Sequence, residues 1–335
     1  MEKAARLASP CRPLARAAAG RRCALLLTAG AIAASGCGRD AGVPDRELGD
    51  LVVAPKTSDA PVSVSQALSD PSELARAVNL PHHRRSALLG AHRLHITSSI
   101  ELAEPGGAPL ESLSEETKLE FASDAAWHAT SNNSADYGRE LTFLDGALYL
   151  RARYQRWHRR PPNGDAEPAE HLDRFGEAPA AMWELLAPAI AVADGGALTF
   201  ADRPAHKIAI STSAKPAAAA REPLAHRKWR QARTVEHVEG EAVLDDANGA
   251  LLRLALRGVV AMQREGHTYS MKVSVESAVS GLGVAPAITA PDPAEVVLTP
   301  VRLHEVDERD QLLEKIAPPL RSKERPAPAV EGAKP

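Results

Sequence analysis

Three groups of residues in this chain are of types that could do chemistry. Cys37 follows the small residues Ala34-Ser35-Gly36, and its thiol could be acylated, oxidised or left free. The stretch Tyr149-Leu150-Arg151-Ala152-Arg153-Tyr154-Gln155-Arg156-Trp157-His158-Arg159-Arg160 combines aromatic rings with guanidinium groups, whose planar donors suit phosphate or carboxylate. Histidines form the third group: the chain has 12, most densely at His82-His83, His92 and His95. Adjacent histidines on an extended chain point to opposite faces, and His92 and His95 diverge on a strand, so they share no ready coordination sphere. They are expected to be solvated or hydrogen-bonded, with no metal and no cofactor. The sequence contains no G-x-S-x-G elbow, H-E-x-x-H, C-x-x-C or P-loop, and the expectation is a chain that is not an enzyme.

The residues ahead of Cys37 set its chemistry. Lys3, Arg6, Arg12, Arg16, Arg21 and Arg22 stand against a single acid, Glu2, and precede the apolar run Cys23 to Ala34. This run is too short for a bilayer, which needs about 20 apolar residues, and reads as the core of an export signal. Ala34-Ser35-Gly36-Cys37 resembles the lipobox of bacterial lipoproteins, with Ala34 in place of the usual leucine. The resemblance implies cleavage after Gly36, acylation of Cys37 and attachment to a membrane through N-terminal acyl chains. Gly38, not aspartate, follows the cysteine, which implies an outer-membrane anchor facing the periplasm. The alternative is an ordinary secretory cleavage at Ala33 to Ser35, leaving Cys37 a free thiol. Cys11 and Cys23 leave with the signal, so the mature chain can form no intramolecular disulfide.

Composition bounds the rest. The 335 residues are 44% apolar and 25% charged, ordinary values for a globular protein able to bury a core. A formal net charge of −3, more negative once the basic signal is gone, gives no electrostatic case for nucleic acid. Residues 37–69 are rich in Asp, Pro, Ser and Gly without periodicity and are expected to form a flexible tether with a reach of roughly 30 Å. A β-rich domain is expected over 70–300. Residues 301–335 should hold a short helix, Glu308 to Ile316, and a Pro-rich tail.

Asp70-Pro71-Ser72-Glu73 predicts a helix start, with Asp70 as N-cap and Glu73 closing a capping box, and Leu74, Ala77 and Leu80 as the apolar stripe up to Pro81. Strand periodicity then dominates. Leu94, Ile96, Ile100 and Leu102 alternate with polar residues in one strand, and Leu119, Phe121, Ala125, Trp127 and Ala129 in another. Asp145-Gly146 predicts a type I′ hairpin between Leu141 and Phe143 on one side and Leu148, Leu150, Ala152 and Tyr154 on the other, with Arg151 and Arg153 on the opposite face. Helical spacing returns over Glu170 to Val192, broken by Gly176, Pro179 and Pro188. A strand at Lys207 to Ser213 and an Ala- and Pro-rich loop precede a three-strand meander on Val238 to Leu244, Leu252 to Met262 and Tyr269 to Val275.

This order of signal, tether, helix, strands, helical insertion and meander resembles the LolA/LolB and LppX/LprG group of envelope lipoproteins over roughly residues 86 to 297. The local marks are Asp145-Gly146-Ala147-Leu148-Tyr149 with Trp157 after it, and Val238-Glu239-Gly240-Glu241-Ala242-Val243-Leu244-Asp245 leading through Gly249 into an apolar strand. The resemblance implies an α+β fold in which a curved antiparallel β-sheet, an incomplete half-open barrel, is covered by short helices, with an apolar cavity between them that in some relatives holds acyl chains. It implies a non-catalytic envelope lipoprotein that binds or carries a lipid or other hydrophobic ligand. The alternative is an envelope scaffold or assembly factor acting through contacts with another envelope protein. Candidate cavity residues are Trp127, Phe143, Leu148, Leu150, Tyr154, Leu254, Leu256, Met262 and Met271, with Arg151, Arg153 and Arg156 as candidates for a lipid headgroup or other anion. For the same residues, the plain alternatives are packed core and a sheet edge protected by solvated charge.

Overall fold

The computed structural model describes residues 61–216, 233–264 and 266–298. Cys37, the signal, most of the tether, the bulk of the Ala- and Pro-rich loop and the C-terminal helix and tail lie outside the described residues. Helix α1 (Val64–Ala67) begins at Ser63, whose hydroxyl accepts from the Gln66 N–H. Ala67 is fully buried, and Val62, Val64 and Leu68 pack on the core, so residues 61–69 are docked and do not belong to a flexible tether. Helix α2 (Pro71–Val78) starts as expected, the Asp70 carboxylate accepting from the Ser72 N–H at 2.8 Å. Glu73 closes no capping box. Its carboxylate accepts from the Ser63 N–H at 2.7 Å and pairs with Arg76, which ties α1 to α2.

Helix α3 (His82–Leu89) follows, and no periodicity announces it. Its first turn has no side-chain cap of its own. Asp173, 90 residues away, supplies one by accepting from the His83 N–H at 2.8 Å.

Twelve strands then build one sheet: β1 (His92–Ala103), β2 (Pro109–Ser123), β3 (Ala126–Asn133), β4 (Gly138–Leu144), β5 (Ala147–Ala152), β6 (Trp157–Arg160), β7 (Ile190–Phe200), β8 (Arg203–Thr212), β9 (Arg233–Asp245), β10 (Leu251–Arg264), β11 (His267–Ser280) and β12 (Val296–Leu298). Their order is β12-β6-β5-β4-β3-β2-β1-β11-β10-β9-β8-β7, antiparallel throughout except for the β12–β6 pair. Helices α4 (Glu167–Phe175) and α5 (Ala178–Leu186) connect β6 to β7, broken where Gly176 and Pro179 predict. The result is the expected curved α+β arrangement, an open antiparallel sheet covered by short helices and not closed into a barrel.

Alternation sorts the two faces of the sheet. In β1, His92, Leu94 and Ile96 are buried while Arg93, His95 and Thr97 are exposed. Leu94, Leu119, Ala129, Leu141 and Leu150 face one another in register from β1 to β5 and form one buried row. Each fully buried leucine contributes roughly 1.5–3 kcal/mol relative to exposure. The Asp145-Gly146 hairpin has φ of 52° and 71°, the two positive angles that a type I′ turn requires. Strands β9, β10 and β11 form the expected meander.

Three segments differ from the sequence expectation. The single strand over 119–129 is two, β2 and β3, joined at Asp124-Ala125. A two-residue turn preserves period-two alternation, so Phe121 and Trp127 become partners and the pattern shows no break. The second segment is β7, which takes the end of the apparent helical run and absorbs Gly195 in a bulge between Asp194 and Gly196. Tyr154 is not on the inner face of β5, which ends at Ala152. It sits in the next turn with φ of 67° and is 75% exposed.

Candidate functional site

An apolar cavity opens where α3 and α4 lie over β3 and β4. Trp127 and Phe143 face each other across β3 and β4 with ring centroids 6.2 Å apart. With Leu172 of α4 they border a cavity of about 320 Å³, in which Trp127, Leu172 and Phe143 are only 1%, 2% and 9% exposed. That volume is at the low end of the roughly 300–1,000 Å³ typical of ligand pockets. Ala87 of α3 and Pro168 and Ala169 of α4 complete its apolar wall, while His83, Arg84, Asp124 and Asp165 supply polar groups around it. A larger recess of about 440 Å³ lies among Thr97, Ser99, Ser114, Glu116, Asn132 and Ser274. The side chains lining that recess are polar or charged.

Helix α3 walls the apolar cavity and is held in place by charged contacts. Buried Arg85 donates to the carbonyls of Val78 at 3.0 Å, Leu80 at 3.2 Å and Ala77 at 3.4 Å, at the C-terminal end of α2. Burial lowers its pKa to about 10, against the opposing pull of Asp173. It therefore stays charged at neutral pH, the state that a helix C-terminus favours. His83 Nδ1 lies 2.8 Å from Asp173 Oδ2. The carboxylate can only accept, so Nδ1 carries a proton.

Two further groups on α4 are electrostatically unusual. Burial lowers the His171 pKa to about 4, although neighbouring Glu167 pulls it upward. Burial pushes the Glu167 carboxyl up, but hydrogen bonds from Arg160 and the Asn163 N–H win and bring it down to about 2. Among the described residues, no group of three or more His, Cys, Asp or Glu is placed to hold a metal ion. No helix among them is long and apolar enough to cross a membrane.

The residues singled out from the sequence fall into three sets. Trp127 and Phe143 line the cavity. Leu148, Leu150, Leu254, Leu256 and Met271 are buried in the continuous core, Met262 is half-buried, and none of these lines the cavity. Tyr154 lies outside the core, its hydroxyl donating to Asp136 at 3.0 Å with the Arg153 guanidinium 4.9 Å from its ring centroid.

The arginines of the basic stretch meet partners within the chain. Arg151 donates to Glu140 at 2.7 Å and stacks 4.4 Å over the Trp157 ring. Arg153 pairs with Asp136 at 3.1 Å, and Arg156 donates to the Ala294 carbonyl at 2.7 Å. Arg151 also ends a row of charges on the outer face, Arg93–Glu120–His128–Glu140–Arg151, that runs from β1 to β5. Sequence reasoning named His83 only as one of a histidine group and missed Arg84, Ala87, Asp124 and Asp165, which converge with it only in the fold. The nearest cue was Leu172, whose helical spacing puts it on the buried face of α4.

No family model and no curated protein sequence matches the chain. Solved structures do show likeness. The chain is similar to the crystal structure of MucB at 18% identity and a TM-score of 0.24, over 66% of this chain and 64% of that one. It is similar to a DUF1329 family protein from Desulfovibrio piger at 10% identity and a TM-score of 0.19, over 65% of this chain and 96% of that one. A putative outer membrane lipoprotein-sorting protein domain from Vibrio parahaemolyticus gives 10% identity and a TM-score of 0.19, over 67% and 96%. The chain thus spans 64% of MucB, and none of these likenesses transfers a function to it.

Proposed function

We propose that this chain is a lipid-anchored envelope protein that binds an amphiphile. The apolar part of the ligand lies over Trp127, Phe143 and Leu172, and its polar head meets His83, Arg84, Asp124 and Asp165. The observation that carries the reading is the cavity itself, apolar at its floor with both signs of charge around it. Resemblance of the lipobox and of the element order to envelope lipoproteins supports the same reading. An acylated Cys37 and the chain ahead of residue 61 keep the cavity within reach of membrane lipids. No catalysis is assigned to the cavity. The scaffold alternative finds less support, because Arg151, Arg153 and Arg156 are already engaged within the chain.

Binding of a fluorescent lysophosphatidylcholine to the purified full-length chain tests the reading. Saturable binding is expected, weakened about tenfold, or about 1.4 kcal/mol, by Ala87→Trp. That substitution fills the cavity from an exposed position on α3 and leaves the core untouched. No saturable binding, or binding unchanged in Ala87→Trp, contradicts the proposal.

A further inference from the structure

Helix α3 has two working faces. One turns His83, Arg84 and Ala87 to the cavity, and the other buries His82, Arg85, Ser86 and Leu89. On the buried face His82 Nε2 lies 3.3 Å from Nε2 of His92, the first residue of β1. Phe121 of β2 covers His92 with ring centroids 5.4 Å apart. A Cβ at Gly176, just past α4, would come within 2.7 Å of the His82 Cβ, so only glycine allows the end of α4 to approach this closely. One imidazole pair therefore sits where α3, β1, β2 and α4 meet.

Hydrogen-bond chemistry assigns the protons. His92 Nδ1 is 2.7 Å from the Gly90 carbonyl, which can only accept, so Nδ1 carries the proton of His92. Its Nε2 is then a bare lone pair, and His82 must donate from Nε2. His82 Nδ1 is left unprotonated, and that buried nitrogen has no hydrogen-bond partner among the described residues. The Nε2–Nε2 hydrogen bond survives one added proton, which leaves an imidazolium donating to an imidazole, and is lost when both rings are protonated and two N–H groups face each other.

The charged and titratable groups around the pair are Arg85 and His83 on α3 and Asp173 on α4. Asp173 is already held by His83. The other neighbours are Phe121 and the Gly176 backbone, and among the described residues no carboxylate bonds either ring. A first added proton leaves one N–H, that on His82 Nδ1, without an acceptor and buries a positive charge near Arg85. A second sets the two Nε2–H groups against each other. Burial lowers the affinity of both rings for a proton, with Arg85 adding to the effect.

We propose that the His82–His92 pair is an acid-labile latch: protonation of both rings frees α3 from β1 and α4, removes one wall of the cavity and releases the ligand. The release step rests on the cavity being a binding site, whereas the latch itself does not.

Hydrogen–deuterium exchange of the full-length chain, corrected for intrinsic rates, reads the latch directly. An opened segment whose rings titrate normally near 6.5 gains about tenfold in population per pH unit for each ring below that value. Protection of the amides from Ser86 to Gly90 is expected to fall about tenfold or more between pH 7 and pH 5.5, and to stay level in His82→Gln/His92→Gln. Unchanged protection in the wild type, or an equal fall in the double variant, overturns the latch. Should the double variant not fold, ring NMR of the wild type decides. It should show His92 as the Nδ1–H and His82 as the Nε2–H tautomer at pH 7, and any other pairing overturns the latch. Fluorescent lysophosphatidylcholine, whose head does not titrate in this range, separates the two proposals. Absent binding at pH 7 overturns the cavity reading and its release step while exchange still judges the latch. Binding that persists at pH 5.5 after α3 has lost protection overturns release alone.

Discussion

The exported chain is expected to remain wholly with the membrane fraction and to show no reactive thiol in denaturant, whereas Cys37→Ala is expected to be recovered soluble. In the proposed lipoprotein, Cys11 and Cys23 would leave with the export signal and Cys37 would be the single cysteine of the mature chain. Its acylation would both consume the thiol and supply the anchor. Each buried methylene contributes about 0.8 kcal/mol, and one chain alone holds only marginally, so several chains make the difference between firm attachment and none. In Cys37→Ala, Ala33 to Ser35 still offers a secretory cleavage site, which releases the chain. Fractionation with thiol labelling checks both statements. A soluble wild-type chain carrying one reactive thiol contradicts the anchor.

Acid is expected to destabilise the fold well before carboxylates protonate. His82, His92 and His171 are buried, and burial holds all three below the ordinary value of 6.5, His171 at about 4. Above 6.5 these rings are neutral in folded and unfolded chains alike, and they add no pH dependence. Below 6.5 the unfolded chain takes up protons that the folded chain refuses, so stability falls as pH falls, for His171 down to about 4. His171, held at about 4, costs about 1 kcal/mol between pH 7 and pH 5.5, and His82 and His92 lose stability in the same direction. Such losses matter against the roughly 5–15 kcal/mol that stabilises most domains. Glu167 adds a later loss. Held at about 2 instead of 4.5, its contribution is complete above 4.5 and disappears as pH falls towards 2. Urea titrations at the two pH values measure the first effect, and His171→Gln should reduce it by about 1 kcal/mol. A flat urea midpoint between pH 7 and pH 5.5 contradicts this account of the buried histidines.

The sheet was legible wherever one face is buried, because alternation there is a direct trace of packing. The Asp145-Gly146 turn, the meander of β9 to β11 and the break between α4 and α5 were each marked by local residues. Helix α3 was not, because its cap is Asp173, which no local pattern around His82 reveals. The two strands on either side of Asp124-Ala125 merged into one because their turn keeps the parity of the side chains. His82 and His92 were read on an extended chain, where neighbouring rings diverge. In the fold a helix turns His82 inward and Gly90, with φ of 72°, brings the chain back so that the rings meet.

The cavity was legible only in part, for the same reason. Trp127 and Phe143 announce an inward-facing pair, but open space above them depends on what α3 and α4 place there. Ala87 and Ala169 are small enough to leave that space, yet alanine in an alanine-rich chain carries no signal. The cations were the reverse case. Arg151, Arg153 and Arg156 stood out in sequence, and the fold spends them on Glu140, Asp136 and the Ala294 carbonyl.

The central claim is that an amphiphile places its acyl part against Trp127. Tryptophan fluorescence of the full-length chain, titrated at pH 7 with a lysophospholipid brominated on its acyl chain, tests this most directly, because bromine quenches only rings that it reaches. Saturable quenching is expected, and Trp127→Phe should abolish most of it while Trp157, Trp183 and Trp229 continue to emit. Quenching that is absent, or that survives intact in Trp127→Phe, contradicts the account.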